Sequence, residues 1–261
     1  MQAFNYAKPT SLADAARAAS GADAKLLAGG QSLLAAMKIG MAAPAALVDL
    51  GGLADLKGIT VSGGVVKIGA MTTHAAVAAS KEVAQAIPAL AAMAAGIGDR
   101  QVRNRGTIGG SLANNDPAAD YPAAALALGA TIHTDKRTIA ADDYFKGLYT
   151  TALNDGEVIT AVSFPVPEKA GWQKFKQPAS RFALVGVFVA KGKGGVRVAV
   201  TGAGSNGVFR VKALEDKLAA SWSGAACDGV KVDSKGLNGD LHGSAEYRAA
   251  LIPVLAKRAV G

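Results

Sequence analysis

Hydrophobic and polar residues alternate on both sides of Gly63-Gly64, within ITVSGGVVKIGA at residues 59–70. Alternation with a period of two is typical of strands that bury one face, and two glycines suit the tight turn between them. The segment therefore predicts a β-hairpin. Short apolar runs predict further strands before residue 10 and at residues 25–28, 46–49, 130–134 and 157–164.

Alanine-rich segments between these strands predict helices. The first helix is expected to begin after Ser11, a residue type that caps helices well, and Asp14 follows in its first turn. Pro117 is expected near the start of the last helix of this region, where proline is tolerated. The predicted helices cover residues 12–20, 33–38, 74–80, 82–95 and 117–128.

Composition changes at Pro165-Val166-Pro167, which is the expected domain boundary. We predict one domain at residues 1–167, with subdomains at about 1–57 and 58–167, and a smaller domain at residues 168–261. After the boundary, the pattern predicts strands at residues 172–176, 182–191 and 195–201 and helices at about 211–220 and 244–258. The smaller domain is therefore expected to be α+β, with a three-stranded sheet.

The 261 residues carry a net charge of +8, and half of them are hydrophobic. The densest basic group, Arg100, Arg103 and Arg105, has no aromatic residues among it. This pattern favours a basic face for an acidic partner, or simple solubility, over nucleic-acid binding. The least polar stretch, residues 83–98, is too short to span a bilayer, and the N-terminal residues lack a secretory signal. We therefore expect a cytoplasmic protein with no direct membrane insertion.

Cys227 is the only cysteine, and the three histidines show no metal-ligand spacing. An intrachain disulfide is therefore excluded, and so is an iron–sulfur or zinc site built from several cysteines of this chain. We expect Cys227 to be a surface or half-buried thiol. No metal site is predicted, so any redox chemistry requires an organic cofactor.

Two glycine-rich segments carry the candidate chemistry, AGGQS at residues 28–32 and IGDRQVRNRGTIGGSLANNDPAADYPAA at residues 97–124. Glycines let the backbone turn tightly and approach a ligand, and their amides can bind a diphosphate. Thr107, Ser111 and the Asn114-Asn115 pair add hydroxyl and amide groups. Two such segments in one chain suggest an extended ligand with a phosphate bridge, such as a dinucleotide.

A third glycine-rich segment, Gly202–Gly207, fits G-x-G-x-x-G after a predicted strand. A nicotinamide-binding Rossmann domain needs such a loop to open a helix directly. Val208, Phe209 and Val211 follow instead, which favours a glycine-rich exit from a buried strand. An NAD-dependent dehydrogenase using this loop stays the less favoured alternative.

The order and spacing of several segments resemble the FAD-binding medium subunits of molybdenum hydroxylases, the family of aerobic carbon monoxide dehydrogenase and xanthine dehydrogenase. The resemblance covers nearly the whole chain. It rests on LAGGQSLLAAMKIG, IGAMTTHAAVAAS, the 97–128 segment, EVITAVSFP and FKQPASRFALV, at residues 27–40, 68–80, 97–128, 157–165 and 175–185.

This resemblance implies an α+β fold in which two subdomains of the vanillyl-alcohol-oxidase (PCMH) type bind FAD, followed by the C-terminal α+β domain. It implies that Asp120 binds the adenosine side of FAD, that Ile159 packs against a ring system and that Lys176 lies near the isoalloxazine. The full implied FAD-binding set is Leu27, Ala28, Gly29, Gly30, Gln31, Ser32, Thr107, Ile108, Gly109, Gly110, Ser111, Asn115, Asp120, Ile159 and Lys176.

The residues alone leave other roles open. Asp116 and Asp120 can cap the predicted 117–128 helix, Ile159 can be an ordinary core residue, and Lys176 can be a solvated lysine on its strand. Arg103 and Arg105 are expected to hold the glycine-rich segment or a neighbouring subunit. No residue is predicted to act as a general acid or base.

The resemblance also implies partners, a large molybdopterin-binding subunit and a small subunit with two [2Fe–2S] clusters, arranged as a dimer of heterotrimers. The chain would then pass electrons from those clusters through FAD to an external acceptor, and the single cysteine agrees with clusters held elsewhere. The alternatives are a self-sufficient flavin oxidoreductase of the same fold and a non-catalytic binding module.

Overall fold

The computed structural model describes residues 2–261 and begins with a small parallel sheet in the order β1–β3–β2. The strands are β1 (Asn5–Ala7), β2 (Ala24–Leu27) and β3 (Ala46–Asp49), and the helices between them are α1 (Leu12–Ala19) and α2 (Leu33–Lys38). These elements match the prediction. The Ser11 hydroxyl accepts a hydrogen bond from the Asp14 N–H at 3.1 Å, which confirms the expected cap of α1.

A five-stranded sheet follows, in the order β4–β5–β10–β6–β7, with every neighbouring pair antiparallel. The predicted hairpin is confirmed, because β4 pairs with β5 and Gly63 and Gly64 form the turn between them. Their φ angles are +57° and +75°. Both angles lie in the left-handed region that a primed hairpin turn requires. The strands are β4 (Ile59–Ser62), β5 (Val65–Gly69), β6 (Thr131–Thr134), β7 (Thr138–Ala140) and β10 (Ile159–Pro165).

Helices cover the inner face of this sheet, and their boundaries correct three predictions. The helix predicted over 82–95 is two helices, because Pro88 lacks the N–H that would continue the first one. The last helix begins at Tyr121, and Pro122 rather than Pro117 lies in its first turn. The 97–124 segment contains two short helices. The six helices are α3 (His74–Ala79), α4 (Lys81–Ala86), α5 (Pro88–Ala95), α6 (Arg100–Arg105), α7 (Ile108–Asn114) and α8 (Tyr121–Leu128).

The sequence pattern missed a short excursion after β6. Besides β7, it contains α9 (Ala141–Tyr144), β8 (Phe145–Gly147) and β9 (Thr150–Thr151). The last two form a small hairpin of their own. Elements of two to four residues show too few periods for a hydrophobic pattern to identify them.

The C-terminal part has a sheet of four strands in the order β11–β12–β13–β14, not the three that we expected. The additional strand is β14, whose two residues pair with Ala199 and Val200. Helices α10 and α11 pack against one face of this sheet. The elements are β11 (Lys169–Lys176), β12 (Ala183–Gly192), β13 (Gly195–Thr201), β14 (Phe209–Arg210), α10 (Lys212–Ala220) and α11 (Ala245–Val260).

The two faces of β12 enter different hydrophobic cores. Val185, Val187 and Val189 pack with α10 and α11, whereas Phe188 and Ala190 pack with the core under the five-stranded sheet. All eight residues of α8 are buried, and this helix lies against β12 and β13. The C-terminal sheet is therefore joined to the first part of the chain by a continuous apolar core.

Cys227 lies under α11 and is 2% exposed, so the expectation of a surface or half-buried thiol is wrong. Burial raises the pKa of its thiol, which keeps it protonated at neutral pH. Among residues 2–261, no helix combines the length and the apolar character needed to cross a membrane.

Candidate cofactor-binding site

A cleft of about 990 Å³ runs between the parallel sheet, the 97–124 segment and the C-terminal sheet. This volume lies at the upper end of the range of small-molecule pockets. Of the predicted residues, the cleft lining includes Ala28, Gly29, Gly30, Gln31, Ser32, Thr107, Gly109, Gly110, Ser111, Asp120 and Ile159. The fold therefore brings both glycine-rich segments to one cleft, although about 80 residues separate them in the sequence.

The two segments touch each other at the cleft floor. A Cβ atom at Gly29 would lie 2.1 Å from the carbonyl oxygen of Arg105, and one at Gly110 would lie 3.4 Å from the Cβ of Ala28. Only glycine fits at Gly29, because 2.1 Å is far inside van der Waals contact. Because glycine has no side chain, the two chain segments can pack closely at Gly29.

The first segment leaves a run of backbone donors without acceptors. The N–H groups of Gly29, Gly30, Gln31, Ser32 and Leu33 donate no hydrogen bond to any residue from 2 to 261. Gly30 has a φ of +75°, which turns the chain before α2 and is unfavourable for other residues. Consecutive free amides in such a turn form a concave site for an anion. This arrangement supports the predicted diphosphate site.

The second segment differs from the prediction, because the amides of residues 108–110 are already bonded. Ile108 N–H donates to the Thr72 carbonyl at 3.2 Å and Gly109 N–H to the Ala70 carbonyl at 2.8 Å. Gly110 N–H donates to the Thr107 hydroxyl at 3.1 Å, which caps α7. The expectation of bare amides here is wrong. The Thr107 N–H donates to no residue from 2 to 261. This amide and the hydroxyls of Thr107 and Ser111 are what the segment leaves for a cofactor.

An ion pair lies at the other side of the cleft. Lys174 Nζ is 2.6 Å from Asp120 Oδ2, and the two side chains are 7% and 4% exposed. Burial raises the pKa of the Asp120 carboxyl above its usual range, and the Lys174 ammonium opposes that shift. Asp120 makes no capping hydrogen bond to α8, and Asp116 instead accepts the Ala118 N–H at 2.8 Å within its own turn.

Four predicted residues do not line the cleft, namely Leu27, Ile108, Asn115 and Lys176. Ile108 is fully buried in the core. Asn115 ends α7 with a φ of +44°, and its amide nitrogen donates to the Gly147 and Thr150 carbonyls, both at 2.8 Å. Its observed role is to hold the β8–β9 hairpin.

Lys176 is exposed, whereas Lys174 on the same strand lines the cleft. Trp172 and Lys174 are two residues apart on β11 and therefore share a face, and Trp172 packs against Phe188 in the core. The pairing register shifts between Phe175 and Lys176, which interrupts this alternation. The apolar Trp172 was the available sequence signal for a buried Lys174.

His74 and Tyr121 form a second pair of polar groups, with ring centroids 5.3 Å apart. Neither His74 Nδ1 nor the Tyr121 hydroxyl has a hydrogen-bond partner among the described residues, and both atoms are buried. Burial, with a contribution from Arg103, lowers the pKa of His74 to about 4, so the imidazole is neutral at pH 7. Burial also raises the pKa of Tyr121.

Three other residues of the cleft were not predicted, although two of them lie in the FKQPASRFALV segment at residues 175–185. The tip of the β8–β9 hairpin contributes Tyr149, and the connection between β11 and β12 contributes Arg181 and Phe182. Tyr149 and Arg181 have backbone φ angles of +52° and +62°, which residues other than glycine rarely adopt. Arg103 holds the 97–98 turn by donating to the Ile97 and Gly98 carbonyls at 2.9 and 3.0 Å, as expected.

The Gly202–Gly207 segment does not form a dinucleotide-binding turn. It leads from β13 into the two-residue strand β14, not into a helix. A Cβ at Gly202 would lie 2.4 Å from the Ala183 carbonyl oxygen, so this glycine allows close packing of neighbouring chain segments. Within residues 2–261, no group of three or more His, Cys, Asp or Glu side chains could hold a metal ion.

Comparison with known proteins identifies the family. A family model described as "FAD binding domain in molybdopterin dehydrogenase" matches residues 2–167. The chain belongs to this family. It is 37% identical to the nicotine 6-hydroxylase medium subunit of Paenarthrobacter nicotinovorans, over 100% of this chain and 97% of that protein. It is 35% identical to the carbon monoxide dehydrogenase medium chain of Afipia carboxidovorans, over 98% and 95% of the two chains.

The fold is also that of a solved structure in this family. The carbon monoxide dehydrogenase structure from Hydrogenophaga pseudoflava superposes with a TM-score of 0.89 at 35% identity, over 99% of this chain and 96% of that chain. The α+β class and the family expected from the sequence are therefore confirmed. The chain is an FAD-binding oxidoreductase subunit of the molybdopterin dehydrogenase type.

Proposed function

We propose that this chain is the electron-transfer subunit of a heteromeric molybdenum hydroxylase. In this role FAD receives electrons from [2Fe–2S] clusters of a partner and passes them to an external acceptor. The observation that carries the proposal is the run of five free backbone amides at Gly29–Leu33, which faces a cleft with room for a dinucleotide. Bound FAD would supply a group that accepts electrons singly and releases them in pairs.

The residues of this cleft would bind and orient the cofactor. We place the diphosphate against the Gly29–Leu33 amides, with the hydroxyls of Ser32, Thr107 and Ser111 as further donors. The neutral imidazole of His74 and the apolar side chain of Ile159 line the cleft and limit the access of water to part of its wall. These groups position FAD, and none is assigned to proton transfer.

The partners follow from the family. The relatives named medium subunit or medium chain imply larger and smaller companions. We propose a large molybdopterin-binding subunit and a small iron–sulfur subunit, joined as a dimer of heterotrimers in the cytoplasm. We also propose the domain boundary at residue 167, with subdomains at about 1–57 and 58–167. The family model ends at the same residue.

The proposal is tested by purifying the chain alone and after co-expression with the proposed large molybdopterin-binding and small iron–sulfur subunits. We expect the isolated chain to be yellow with about one FAD and to leave organic substrates unoxidised, because their site belongs to the large subunit. The assembled complex should reduce its flavin when substrate is added, and native mass spectrometry should give two copies of each subunit. Substrate-dependent bleaching of the isolated chain would instead support a self-sufficient flavin oxidoreductase, and flavin-free protein from a flavin-replete host would refute both.

A further inference from the structure

Lys174 and Asp120 leave one donor and one acceptor unused at the cleft. The Lys174 ammonium donates to Asp120 Oδ2 at 2.6 Å and to the Gly96 carbonyl at 3.1 Å. An ammonium has three N–H bonds, and the third has no acceptor among residues 2–261. Asp120 Oδ1 is buried and accepts no hydrogen bond from the described residues. Both residues line the cleft.

A buried ion pair with unsatisfied atoms is an unfavourable arrangement for stability alone. Removing two charges from water costs more than one short contact returns, unless the remaining lone pair and N–H are also bonded. No described residue supplies the bond to Asp120 Oδ1, and the hydroxyl of the next residue, Tyr121, is itself without a partner. Because Asp120 and Lys174 both line the cleft, a partner for these atoms can enter there.

The chemistry of that partner follows from the pair. A carboxylate oxygen next to an ammonium N–H matches a planar ring edge that carries an N–H donor next to a carbonyl acceptor. The pyrimidine ring of a flavin has such an edge, with its ring N–H between two carbonyls. Adenine also has neighbouring donor and acceptor atoms, so both ends of FAD share this chemistry. The cation favours the flavin, because reduction increases the negative charge of that ring whereas adenine stays neutral.

We propose that Lys174 and Asp120 together bind the pyrimidine edge of the isoalloxazine, a role that rests on the proposed function of the chain. Lys174 donates to a ring carbonyl, and Asp120 Oδ1 accepts the ring N–H. Lys174 also holds Asp120 ionised and fixes its orientation. This assignment moves Asp120 from the adenosine side of FAD, where we had expected it, and replaces Lys176 with Lys174 as the lysine nearest the ring.

The test uses the full chain with Lys174→Met, Asp120→Asn and the double change, and Lys169→Met as the matched control. Lys169 is an exposed lysine on the same strand that does not line the cleft. Affinities of the cofactor-free proteins are measured for FAD, FMN and ADP, and the flavin midpoint potential is measured for the loaded proteins. FMN reports the flavin end of the site, and ADP reports the adenosine end.

We expect Lys174→Met to weaken FAD and FMN binding by about tenfold or more, since it removes a charged hydrogen-bond donor. ADP binding should stay within about twofold of the wild type. The midpoint potential should become more negative, because the reduced ring loses a nearby cation. Asp120→Asn should weaken FMN binding in the same way, and Lys169→Met should change nothing.

The double variant separates a binding role from a structural one. Two uncharged side chains of similar shape relieve the unpaired buried charge, so thermal stability should return towards the wild type even where a single variant folds poorly. Flavin affinity and potential should not return. Recovery of both would overturn the proposal, as would unchanged FMN affinity in both single variants or a loss confined to ADP. A wild-type chain that binds no FAD would overturn the proposed function itself.

Discussion

At the residue scale, the glycines of the cleft bring chain segments together. Gly29 lies against the Arg105 carbonyl, and a Cβ at Gly109 would lie 2.6 Å from the Cβ of Ala70. The segment containing Gly109 is fixed to the strand end at Ala70 by hydrogen bonds, and Gly29 then seats the first glycine-rich segment against it. The free amides of residues 29–33 therefore depend on a contact that only glycine permits.

Replacing Gly29 with alanine should separate the two segments. We expect a loss of about 1–3 kcal/mol of stability, because the new methyl group cannot occupy space 2.1 Å from a carbonyl oxygen. The variant should also retain less FAD than the wild type even where it stays folded, since the free amides move. Chemical denaturation and flavin content after gel filtration measure the two effects.

Gly194→Ala is the matched control for this change. A Cβ at Gly194 has no neighbour within 4 Å, and its backbone is not left-handed, so we expect wild-type stability and flavin content. Equal behaviour of the two alanine variants would show that the contact at Gly29 is not limiting.

At the element scale, side chains at the ends of elements hold the cleft walls in place. Asn115 at the end of α7 binds the carbonyls on both sides of the β8–β9 turn. Glu157, just before β10, accepts hydrogen bonds from Arg137 Nε at 2.9 Å and from the Thr134 hydroxyl at 2.7 Å. Glu157 is 3% exposed and lines the cleft. These contacts tie the start of β10 to the turn between β6 and β7.

The Glu157 pair predicts acid sensitivity. The hydrogen bonds from Arg137 hold the pKa of Glu157 at about 2, below its ordinary value of 4.5. The pair therefore stabilises the fold fully at pH values above 4.5, and this stabilisation is lost as the pH falls towards 2. Over this window we expect the wild type to lose about 2 kcal/mol more than Glu157→Gln, after allowing for solvent around Arg137. Urea unfolding at pH 5, 4, 3 and 2 measures the difference.

Glu168→Gln is the control for this pH dependence, because Glu168 is exposed and lies 3.9 Å from its nearest cation. The unfolding free energy of this variant should fall with pH in the same way as that of the wild type. If the Glu157→Gln curve also runs parallel to the wild type down to pH 2, then the Arg137 contact does not stabilise the fold.

At the scale of the whole molecule, the C-terminal sheet completes the structure of the first part. Its Phe188 and Ala190 belong to the larger hydrophobic core, and the Thr201 hydroxyl donates to the Ala119 carbonyl just before α8. Lys174 and Arg181, which lie beyond the proposed boundary at residue 167, line the same cleft as the glycine-rich segments. The cleft therefore needs both parts of the chain.

We expect the full chain to unfold in one cooperative transition, because the shared core leaves no boundary with few contacts. Calorimetry should give equal calorimetric and van't Hoff enthalpies. A fragment of residues 1–167 should aggregate or retain no FAD, since it exposes α8 and lacks Lys174. Two separate transitions, or a fragment that binds FAD as tightly as the full chain, would show that the two parts are independent.

The sequence by itself determined the features that depend on local order. The 59–70 hairpin, the strand at 46–49 and the helix at 33–38 follow from short-range periodicity and turn residues, and the structure has them at the predicted positions. The glycine-rich segments were sufficient to predict the family and its FAD cofactor, because they are contiguous motifs whose order and spacing can be read directly from the sequence.

Only the tertiary structure decided which groups at the cleft are free. The amides of residues 108–110 looked available in the sequence, but Ala70 and Thr72 come close enough in the fold to bond two of them. Lys174 and Lys176 are both lysines on β11, and the sequence gives no reason to prefer either. The register shift on β11 and the position of Asp120 distinguish them. The physical reason is that a hydrogen bond or ion pair depends on the distance between atoms from remote parts of the chain, and local pattern carries no information about that distance.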